Sequence, residues 1–219
     1  MTKTFTVLLS LLVALGLGGC VDQASREPAN LSTAKAEVKA YVDSGKYDAD
    51  LTDVAAPAKT WITRRAGAGT EKLAVVFDID ETTLSNFDHM QKADWGYQAD
   101  SWSQWVMESK APAISPVREI YRTARAHKVA AFFITGRRES EKAATARNLR
   151  TQGMGDFAAV LVRSDSSKTP VGIFKTASRK HITEQGYTII ANVGDQQSDL
   201  DGGYSERTFK LPNPFYLIP

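Results

Sequence analysis

One stretch of the sequence decides the fold: residues 73–82 read LAVVFDIDET. Its first half, Leu73–Phe77, is continuously apolar, which is typical of a strand buried on both faces of a parallel sheet. Asp78 and Asp80 follow directly, and their spacing lets both carboxylates point the same way at the end of that strand. In an open parallel sheet, ligands bind at the carboxyl ends of the strands. The stretch therefore predicts a buried strand that delivers two carboxylates to a site.

Three further apolar runs repeat this pattern, and helical segments separate them. The runs are Val129–Ile134, Ala158–Val162 and Tyr187–Val193. The predicted helices span 33–44, 51–65, 115–127, 139–152 and 172–185, with Gly45 and Asp48–Asp50 as turn signals between the first two. Strands that alternate with helices predict a three-layer α/β fold, a Rossmann-like parallel sheet with helices on both faces.

Polar side chains also follow the second and the last of these four apolar runs. Thr135 follows the second run, and Asp195 and Asp199 follow the last. Together with Asp78 and Asp80 they place four carboxylates in one crevice, where their repulsion is unfavourable unless a cation lies among them. Hard oxygen ligands with few fixed side chains suit Mg²⁺, which keeps several of its waters. The sequence therefore predicts a Mg²⁺ site at this edge of the sheet.

A lysine and a hydroxyl complete the chemistry predicted for the crevice. Lys175 opens the helix predicted at 172–185, and Lys168 is an alternative in the same part of the chain. The hydroxyl of Thr135 and nearby backbone N–H groups offer hydrogen-bond donors to a phosphate. A carboxylate nucleophile, a cation, a lysine and a hydroxyl together indicate phosphoryl transfer through an aspartyl-phosphate.

The composition argues against several other classes of protein. The chain has 219 residues, of which 42% are hydrophobic and 24% charged, so it is globular rather than disordered or coiled-coil. Its 27 basic and 25 acidic residues nearly balance, which gives no support for a nucleic-acid polymer as a partner. The one cysteine, Cys20, cannot form an internal disulfide. The sequence leaves the oligomeric state open.

The first 19 residues predict export from the cytoplasm. Lys3 precedes a mostly apolar stretch of 13 residues, Phe5–Leu17, which is short for a membrane span of roughly 20 residues. The stretch ends in Leu17-Gly18-Gly19-Cys20, which resembles the lipobox of bacterial lipoproteins. Residues 1–19 are therefore predicted to be a lipoprotein signal peptide. An ordinary secretory signal, or an uncleaved anchor with a chance cysteine, is the alternative.

The resemblance to a lipobox implies an address for the mature protein. Cys20 is the predicted site of lipid attachment, which anchors the protein to the bacterial cell envelope. Val21 stands where an Asp commonly retains such proteins at the inner membrane, so the outer membrane is the favoured location. Residues 20–33 are mostly polar and are interpreted as a lipid-anchored tether.

Four ordered motifs resemble those of the haloacid dehalogenase (HAD) superfamily. They are Asp78-Ile79-Asp80-Glu81-Thr82, Ile134-Thr135-Gly136-Arg137, Lys175, and Gly194-Asp195 with Asp199. Further stretches are similar to the plant-type and class C acid phosphatases of subclass IIIB, namely Trp105 with Lys110–Ala113, Gly194–Leu200 and Thr208–Pro214. The resemblance covers residues 34–219, and it implies a HAD-like domain with a small helical cap insert at 86–113.

The resemblance also implies a role for each matching residue. Asp78 corresponds to the nucleophile. Asp80 corresponds to the general acid and base, which protonates the leaving oxygen and then deprotonates the attacking water. Thr135 and Lys175 correspond to the phosphate-binding positions.

The implied Mg²⁺ ligands are the carboxylate of Asp78, the main-chain carbonyl of Asp80 and the carboxylate of Asp195. Asp199 is a further ligand, a partner of a ligand, or only a cap of the following turn. Arg137 is interpreted as a structural partner of the nearby carboxylates rather than as a contact of the substrate.

The function implied by the resemblance is a Mg²⁺-dependent acid phosphatase that hydrolyses small phosphomonoesters. Some plant storage relatives lack the nucleophile, whereas this chain has Asp78. Two alternatives stay open. One is a phosphotransferase that passes the phosphate to an alcohol, and the other is a non-catalytic ligand-binding or storage-type lipoprotein with a relict metal site.

Aromatic residues are concentrated between the first and second motifs. This segment, residues 86–113, is long enough for a helical flap and too short for a large cap domain. Tyr97, Trp102 and Trp105 are candidates for stacking on an aromatic leaving group such as a nucleotide base. Trp102 and Trp105 are three residues apart and share one helical face, so packing of that face on the core is the alternative. The functional interpretation predicts a preference for nucleoside monophosphates or aryl phosphates over sugar phosphates.

Overall fold

The computed structural model describes residues 28–68 and 72–218, and within them five strands form one sheet. The strands are β1 (Lys72–Phe77), β2 (Ala130–Arg138), β3 (Ala159–Arg163), β4 (Tyr187–Gly194) and β5 (Thr208–Lys210). All of them pair in parallel, in the order β3-β2-β1-β4-β5. The predicted signal peptide at 1–19, Cys20 and most of the tether at 20–33 lie outside the described residues.

Helices precede the sheet and connect its strands. In the described part of the chain they are α1 (Leu31–Asp43), α2 (Lys46–Ala66), α3 (Phe87–Lys92), α4 (Ala99–Glu108), α5 (Ser115–Ala126), α6 (Lys142–Thr151), α7 (Val171–Glu184) and α8 (Gln197–Leu200). A short 3₁₀ turn, Glu139–Glu141, leads into α6. Among these described residues, no helix combines the length and the apolar character that crossing a membrane requires.

The core lies on both faces of the sheet, because successive side chains of a strand point to opposite sides. In β1, Val75 and Phe77 belong to an apolar cluster that also includes side chains of α2 and α5. Val76 belongs to the second cluster, with Phe132 of β2 and Ile182 of α7. Helices therefore cover both faces, and the predicted α/β fold with a parallel sheet is confirmed.

Two differences from the sequence-based expectation concern the ends of the domain. The four predicted strands are present, but β5 adds a fifth, whose three residues are too few to form an apolar run.

The turn predicted at Asp48–Asp50 is wrong, since α2 begins at Lys46 and contains both acids. Asp48 lies in the first turn of α2, where the helix dipole favours a negative charge. Asp50 accepts hydrogen bonds from the Lys46 ammonium four residues earlier and from the Tyr41 hydroxyl.

The flap, residues 86–113, consists of α3 and α4 and leaves the sheet just after β1. Backbone hydrogen bonds close its base: Ser85 N–H donates to the Pro112 carbonyl at 2.9 Å, and Ile114 N–H donates to the Thr83 carbonyl at 3.0 Å. The two ends of the flap are therefore fixed next to the loop that carries the first motif.

Candidate active site

Neighbouring strand ends bring three carboxylates together. Asp78 follows β1 and Asp195 follows β4, and the two strands are paired up to their last residues. Asp199 lies in α8, immediately beyond β4. One carboxylate oxygen of each of the three residues lies within 4.8 Å of those of the other two, and all three side chains are buried. Three of the four carboxylates that the sequence analysis expected together thus converge in the fold.

Lys175 of α7 lies in the middle of this cluster. Its ammonium donates hydrogen bonds to Asp78 and to Asp199, and all three groups are buried. Burial alone lowers the pKa of Lys175, but the two carboxylates outweigh it and raise that pKa. The alternative Lys168 is exposed, so the structure places Lys175, not Lys168, beside the carboxylates. We call Asp78, Asp195, Asp199 and Lys175 the acidic floor of the site.

The electrostatics of the acidic floor are dominated by desolvation. Burial raises the pKa of Asp78 well above its ordinary value, Lys175 opposes the rise, and the other carboxylates add to it. Burial and then Asp199 also raise the pKa of Asp195. Three buried carboxylates are matched by one ammonium, which leaves an excess of negative charge. Hard oxygen donors with such an excess fit a divalent cation.

Neutral donors fix the orientation of Asp195. Its Oδ1 accepts from the Thr82 hydroxyl at 2.7 Å. Its Oδ2 accepts from the side-chain amides of Gln196 at 2.6 Å and Asn213 at 2.7 Å. Asp195 is therefore held by the first motif, by its own neighbour and by the C-terminal segment at once.

The sequence analysis gave Asp199 either a place in the carboxylate site or a capping role, and its contacts are of both kinds. Its Oδ2 accepts from the backbone N–H of Gln196 at 2.9 Å, which caps α8, while its Oδ1 binds Lys175. Its main-chain carbonyl accepts from the buried Asn192 amide at 2.9 Å and from the Arg179 guanidinium. The residue caps the turn and belongs to the carboxylate cluster at the same time.

Asp80 stands apart from the acidic floor. The Nε of Arg137 donates to its two oxygens at 3.1 and 3.2 Å, and a terminal nitrogen of Arg137 donates to Oδ1 at 2.6 Å. The Asn86 amide adds a bond of 3.0 Å. The interpretation of Arg137 as a partner of the carboxylates is confirmed by these contacts. The main-chain carbonyl of Asp80, the predicted metal ligand, lies 3.5 Å from the hydroxyl of Tyr216.

Thr135 is fully buried at the end of the apolar part of β2. Its hydroxyl oxygen accepts from the N–H of Arg137 at 3.1 Å and lies 3.4 Å from Oδ2 of Asp80. The Thr135 hydroxyl therefore contacts Asp80 and Arg137. The role of Thr135 in phosphate binding stays a prediction.

Glu81 is a site residue that the sequence analysis did not single out. It is buried with a left-handed backbone (φ 59°), and burial together with Asp80 raises its pKa to about 8. Its carboxylate accepts from the N–H of Asn86 at 2.6 Å and from the hydroxyl of Tyr216 at 2.9 Å. Asn213 and Tyr216 had also been missed. The signal for Asn213 was the stretch Thr208–Pro214, which the resemblance included without giving any residue of it a role, whereas Tyr216 lies beyond that stretch and had no signal in the sequence.

A cavity of about 580 Å³ opens above the acidic floor. Asp78, Asp80 and Lys175 line it, and on one side Tyr97 and Trp102 of the flap do so as well. A second cavity of about 340 Å³ also has Tyr97 and Trp102 in its lining, and its other residues include Trp95, Phe215 and Leu217.

Trp105 takes the packing alternative. It does not belong to the lining of the main cavity, and its indole N–H donates to the side-chain oxygen of Asn86 at 2.8 Å. Its ring stacks on His89 at 5.6 Å between centroids. Trp105 thus supports Asn86, which in turn binds Asp80 and Glu81.

Phosphoryl transfer is the chemistry that this site supports. A buried carboxylate can attack phosphorus, while a lysine and a cation offset the charge of the phosphate. The fold and the site therefore define a phosphoryl-transfer enzyme.

The comparison with known families makes this assignment specific. Residues 21–219 match the HAD superfamily, subfamily IIIB (acid phosphatase), and the chain belongs to this family. It is thereby a phosphomonoesterase by class.

Relatives and solved structures agree with the family. The chain is 32% identical to a stem 28 kDa glycoprotein of Glycine max, over 82% of this chain and 73% of that protein. It is 34% identical to acid phosphatase 1 of Solanum lycopersicum, over 65% of this chain and 58% of that protein. The fold is similar to that of the class C acid phosphatase from Bacillus anthracis, with a TM-score of 0.69, 20% identity and 85% of each chain covered.

Proposed function

We propose that the protein is a Mg²⁺-dependent acid phosphatase that hydrolyses small phosphomonoesters through a phosphorylated Asp78. The observation that carries this proposal is the position of Asp78, buried beside Lys175 and lining the cavity. A binding or storage protein needs no buried carboxylate with a lysine partner at the base of an open cavity. Relatives named as storage proteins exist, with 27% identity for vegetative storage protein 1 of Arabidopsis thaliana, which is why activity has to be measured.

In the first step, a carboxylate oxygen of Asp78 forms a bond to phosphorus, and the bond from phosphorus to the leaving oxygen breaks. Asp80, which lines the same cavity, gives that oxygen its proton. In the second step, water attacks the phosphorus of phospho-Asp78 and gives a proton to Asp80. The bond from phosphorus to the Asp78 oxygen breaks, phosphate leaves, and both aspartates return to their initial state.

Lys175 and Arg137 support these steps from two sides. Lys175 carries positive charge next to the attacked phosphorus, and Arg137 fixes the carboxyl of Asp80. Asp78, Asp195, Asp199 and the carbonyl of Asp80 would hold Mg²⁺, which supplies positive charge for the phosphate oxygens when it is bound.

The flap supports a preference for aromatic leaving groups. Tyr97 and Trp102 line both cavities, so a nucleotide base or an aryl group has aromatic surface within reach of the acidic floor. We infer that nucleoside monophosphates and aryl phosphates are better substrates than sugar phosphates. The phosphotransferase alternative shares the phospho-Asp78 step, and an added alcohol would reveal it by forming a new phosphate ester.

We also infer that Cys20 carries a lipid and anchors the enzyme to the outer membrane. The support is the lipobox-like Leu17–Cys20 in the sequence. Cys20→Ser should leave the protein unprocessed or mislocalised while the catalytic domain keeps its activity. Normally processed, membrane-extracted protein from this variant would refute the anchor.

The test of the catalytic proposal is phosphate release from a panel of phosphomonoesters, with and without Mg²⁺. Turnover that requires the cation and is lost in Asp78→Asn is the expected result. Equal release by the parent protein and by Asp78→Asn would remove the proposed mechanism. No release from any ester by a folded parent protein would favour the storage or binding alternative.

A further inference from the structure

The end of β3 brings an arginine to the cavity. The proposed phosphatase mechanism gives this arginine no role. β3 ends at Arg163, and its register partner in β2 is Arg138, the last residue of that strand. Both residues are half-buried and line the cavity that contains Asp78. Ligands bind at the carboxyl ends of parallel strands, so these arginines occupy ligand-binding positions of the sheet.

The two guanidinium groups are close to each other. Arg138 and Arg163 both donate to the main-chain carbonyl of Ser167, at 3.0 and 3.3 Å. Each also donates to one more carbonyl of the same loop, that of Ser164 or Thr169. Burial lowers the pKa of Arg163, and the charge of Arg138 lowers it further.

The charge of this pair is not neutralised by a direct contact. In residues 28–68 and 72–218, neither guanidinium forms a salt bridge with a carboxylate. The acceptors of both guanidinium groups are backbone carbonyls. Two acids beside the pair have other hydrogen-bond partners: Glu141 accepts from the backbone N–H of Arg138, and Asp165 accepts from Ser140. The bonds from Ser140 and, less strongly, the charge of Arg138 lower the pKa of Asp165. The Nε of Arg163 is buried without any acceptor in this part of the chain. Two adjacent cations therefore lie on the cavity wall with unused donors.

We propose that Arg138 and Arg163 form a second anion subsite, which binds a phosphate or carboxylate group that the substrate carries in addition to the phosphate that is removed. This inference rests on the proposed function and specifies its substrate class. Arginine is suited to the task because its planar fork matches the oxygens of phosphate and carboxylate.

The sheet sets the spacing between the two anions. Adjacent strands lie about 4.8 Å apart, so β2 and β3 are roughly 5 and 10 Å to the side of β1, which carries Asp78. Arg138 is also displaced along β2, because Phe133, five residues earlier, is the partner of Phe77. A spacer of at least the size of a sugar ring is therefore needed between the two anions. The substrate class is therefore a small bisphosphate or phosphorylated acid rather than a simple alkyl phosphate.

Equilibrium binding tests the subsite without turnover. The purified full-length chain carrying Asp78→Asn is titrated in a calorimeter with adenosine 3′,5′-bisphosphate and with adenosine 5′-monophosphate, which share the same base. We expect the bisphosphate to bind about tenfold more tightly, since a charged hydrogen bond to phosphate is gained. Equal affinities in this protein would overturn the proposal.

Variants locate the effect within the cavity. Arg138→Gln and Arg163→Gln should each weaken the bisphosphate more than the monophosphate and reduce the ratio towards one. Lys168→Gln is the matched control, because it removes an exposed cation of the same loop and should keep the ratio. Equal weakening of both ligands by the arginine variants would mean that the pair only holds the loop, and would also overturn the proposal.

The result can be separated from that of the proposed function. Hydrolysis of the monophosphate by the parent chain reports on the phosphatase proposal alone, whereas the affinity ratio reports on the subsite alone. A parent enzyme that hydrolyses the monophosphate while its Asp78→Asn variant shows a ratio of one would keep the phosphatase and remove the subsite.

Discussion

The acidic floor and the flap face the same cavity but are built in opposite ways. The acidic floor stands at the ends of paired strands, is buried, and has its carboxylates tied by Lys175 and by neutral donors. The flap consists of two short helices, and Tyr97 at its edge is 76% exposed. We propose that chemistry resides in the acidic floor, the region that these contacts make rigid, and that substrate preference resides in the flap, as the more adaptable region.

Asp78→Asn is the strongest test of the rigid region. The amide is nearly isosteric but cannot attack phosphorus, so kcat should fall by a factor on the order of 10³ or more. The fold should persist, because the change removes one of several crowded anions and Asp199 still pairs with Lys175. Steady-state kinetics and a melting curve on the same preparation measure both effects. Activity within about tenfold of the parent would contradict the assignment of Asp78 as nucleophile.

Asp80→Asn tests whether the residue bound to Arg137 transfers protons. Loss of a general acid costs roughly 10²–10⁴-fold in rate. The loss should be smallest for an aryl phosphate, whose leaving group needs little protonation, and largest for an alkyl phosphate. Mg²⁺ binding, followed by the cation concentration needed to raise the melting temperature, should persist because only the carbonyl of Asp80 is a proposed ligand. Equal losses on both esters would argue against Asp80 as the acid.

Trp102→Ala tests the adaptable region. Base stacking is worth roughly 1–3 kcal/mol, so KM for a nucleoside monophosphate should rise about tenfold while that for a sugar phosphate changes little. Tyr97→Ala should act in the same direction but more weakly, because that ring is largely exposed. Trp105→Phe is the contrast, since it removes the hydrogen bond to Asn86, which binds Asp80, and should lower kcat while the ratio of the two KM values stays unchanged. An unchanged KM for the nucleotide in both folded test variants would assign the flap to packing alone.

Glu81→Gln concerns the junction between the two regions, and its effect is measured in the pH dependence of stability rather than in activity. The pKa of Glu81 is raised from 4.5 to about 8 in the folded protein. Between these values the folded state keeps a proton that the unfolded state releases, so stability falls as the pH rises through this window. The contribution of Glu81 to that slope is at most about 1.4 kcal/mol per pH unit. Denaturant unfolding at several pH values should show a flatter dependence in Glu81→Gln, and an identical slope would refute a protonated Glu81.

Sequence patterns predicted the sheet because the central strands β1, β2 and β4 are largely buried on both faces and their sequences are therefore mostly apolar, as is that of the half-buried β3. They predicted the convergence of Asp78, Asp195 and Asp199 for a related reason, since residues at the ends of parallel strands meet at one edge. One long-range partner of Asp80 was also predicted: Arg137 follows the apolar run Val129–Ile134 and lies near the carboxyl end of β2. In these cases local sequence dictates the geometry.

Other features depend on contacts that no local pattern encodes. The bond between Asn213 and Asp195 joins residues 18 apart, and that between Tyr216 and Glu81 joins residues 135 apart. β5 is stabilised by pairing with β4 rather than by its own three residues. The acids at Asp48–Asp50 read as a turn, yet their helix is supported by tertiary packing of Leu51 and other buried residues of α2.

Gly194 is the last residue of β4, and the space beside it leaves no room for a side chain. A Cβ at this position would lie 2.5 Å from the Cβ of Asp199, closer than real side chains approach each other. Gly194→Ala would therefore push Asp199 away from Lys175 while every charged group of the site remained in the protein. A single methyl group would provide an inactive reference enzyme with the same titratable groups as the active one.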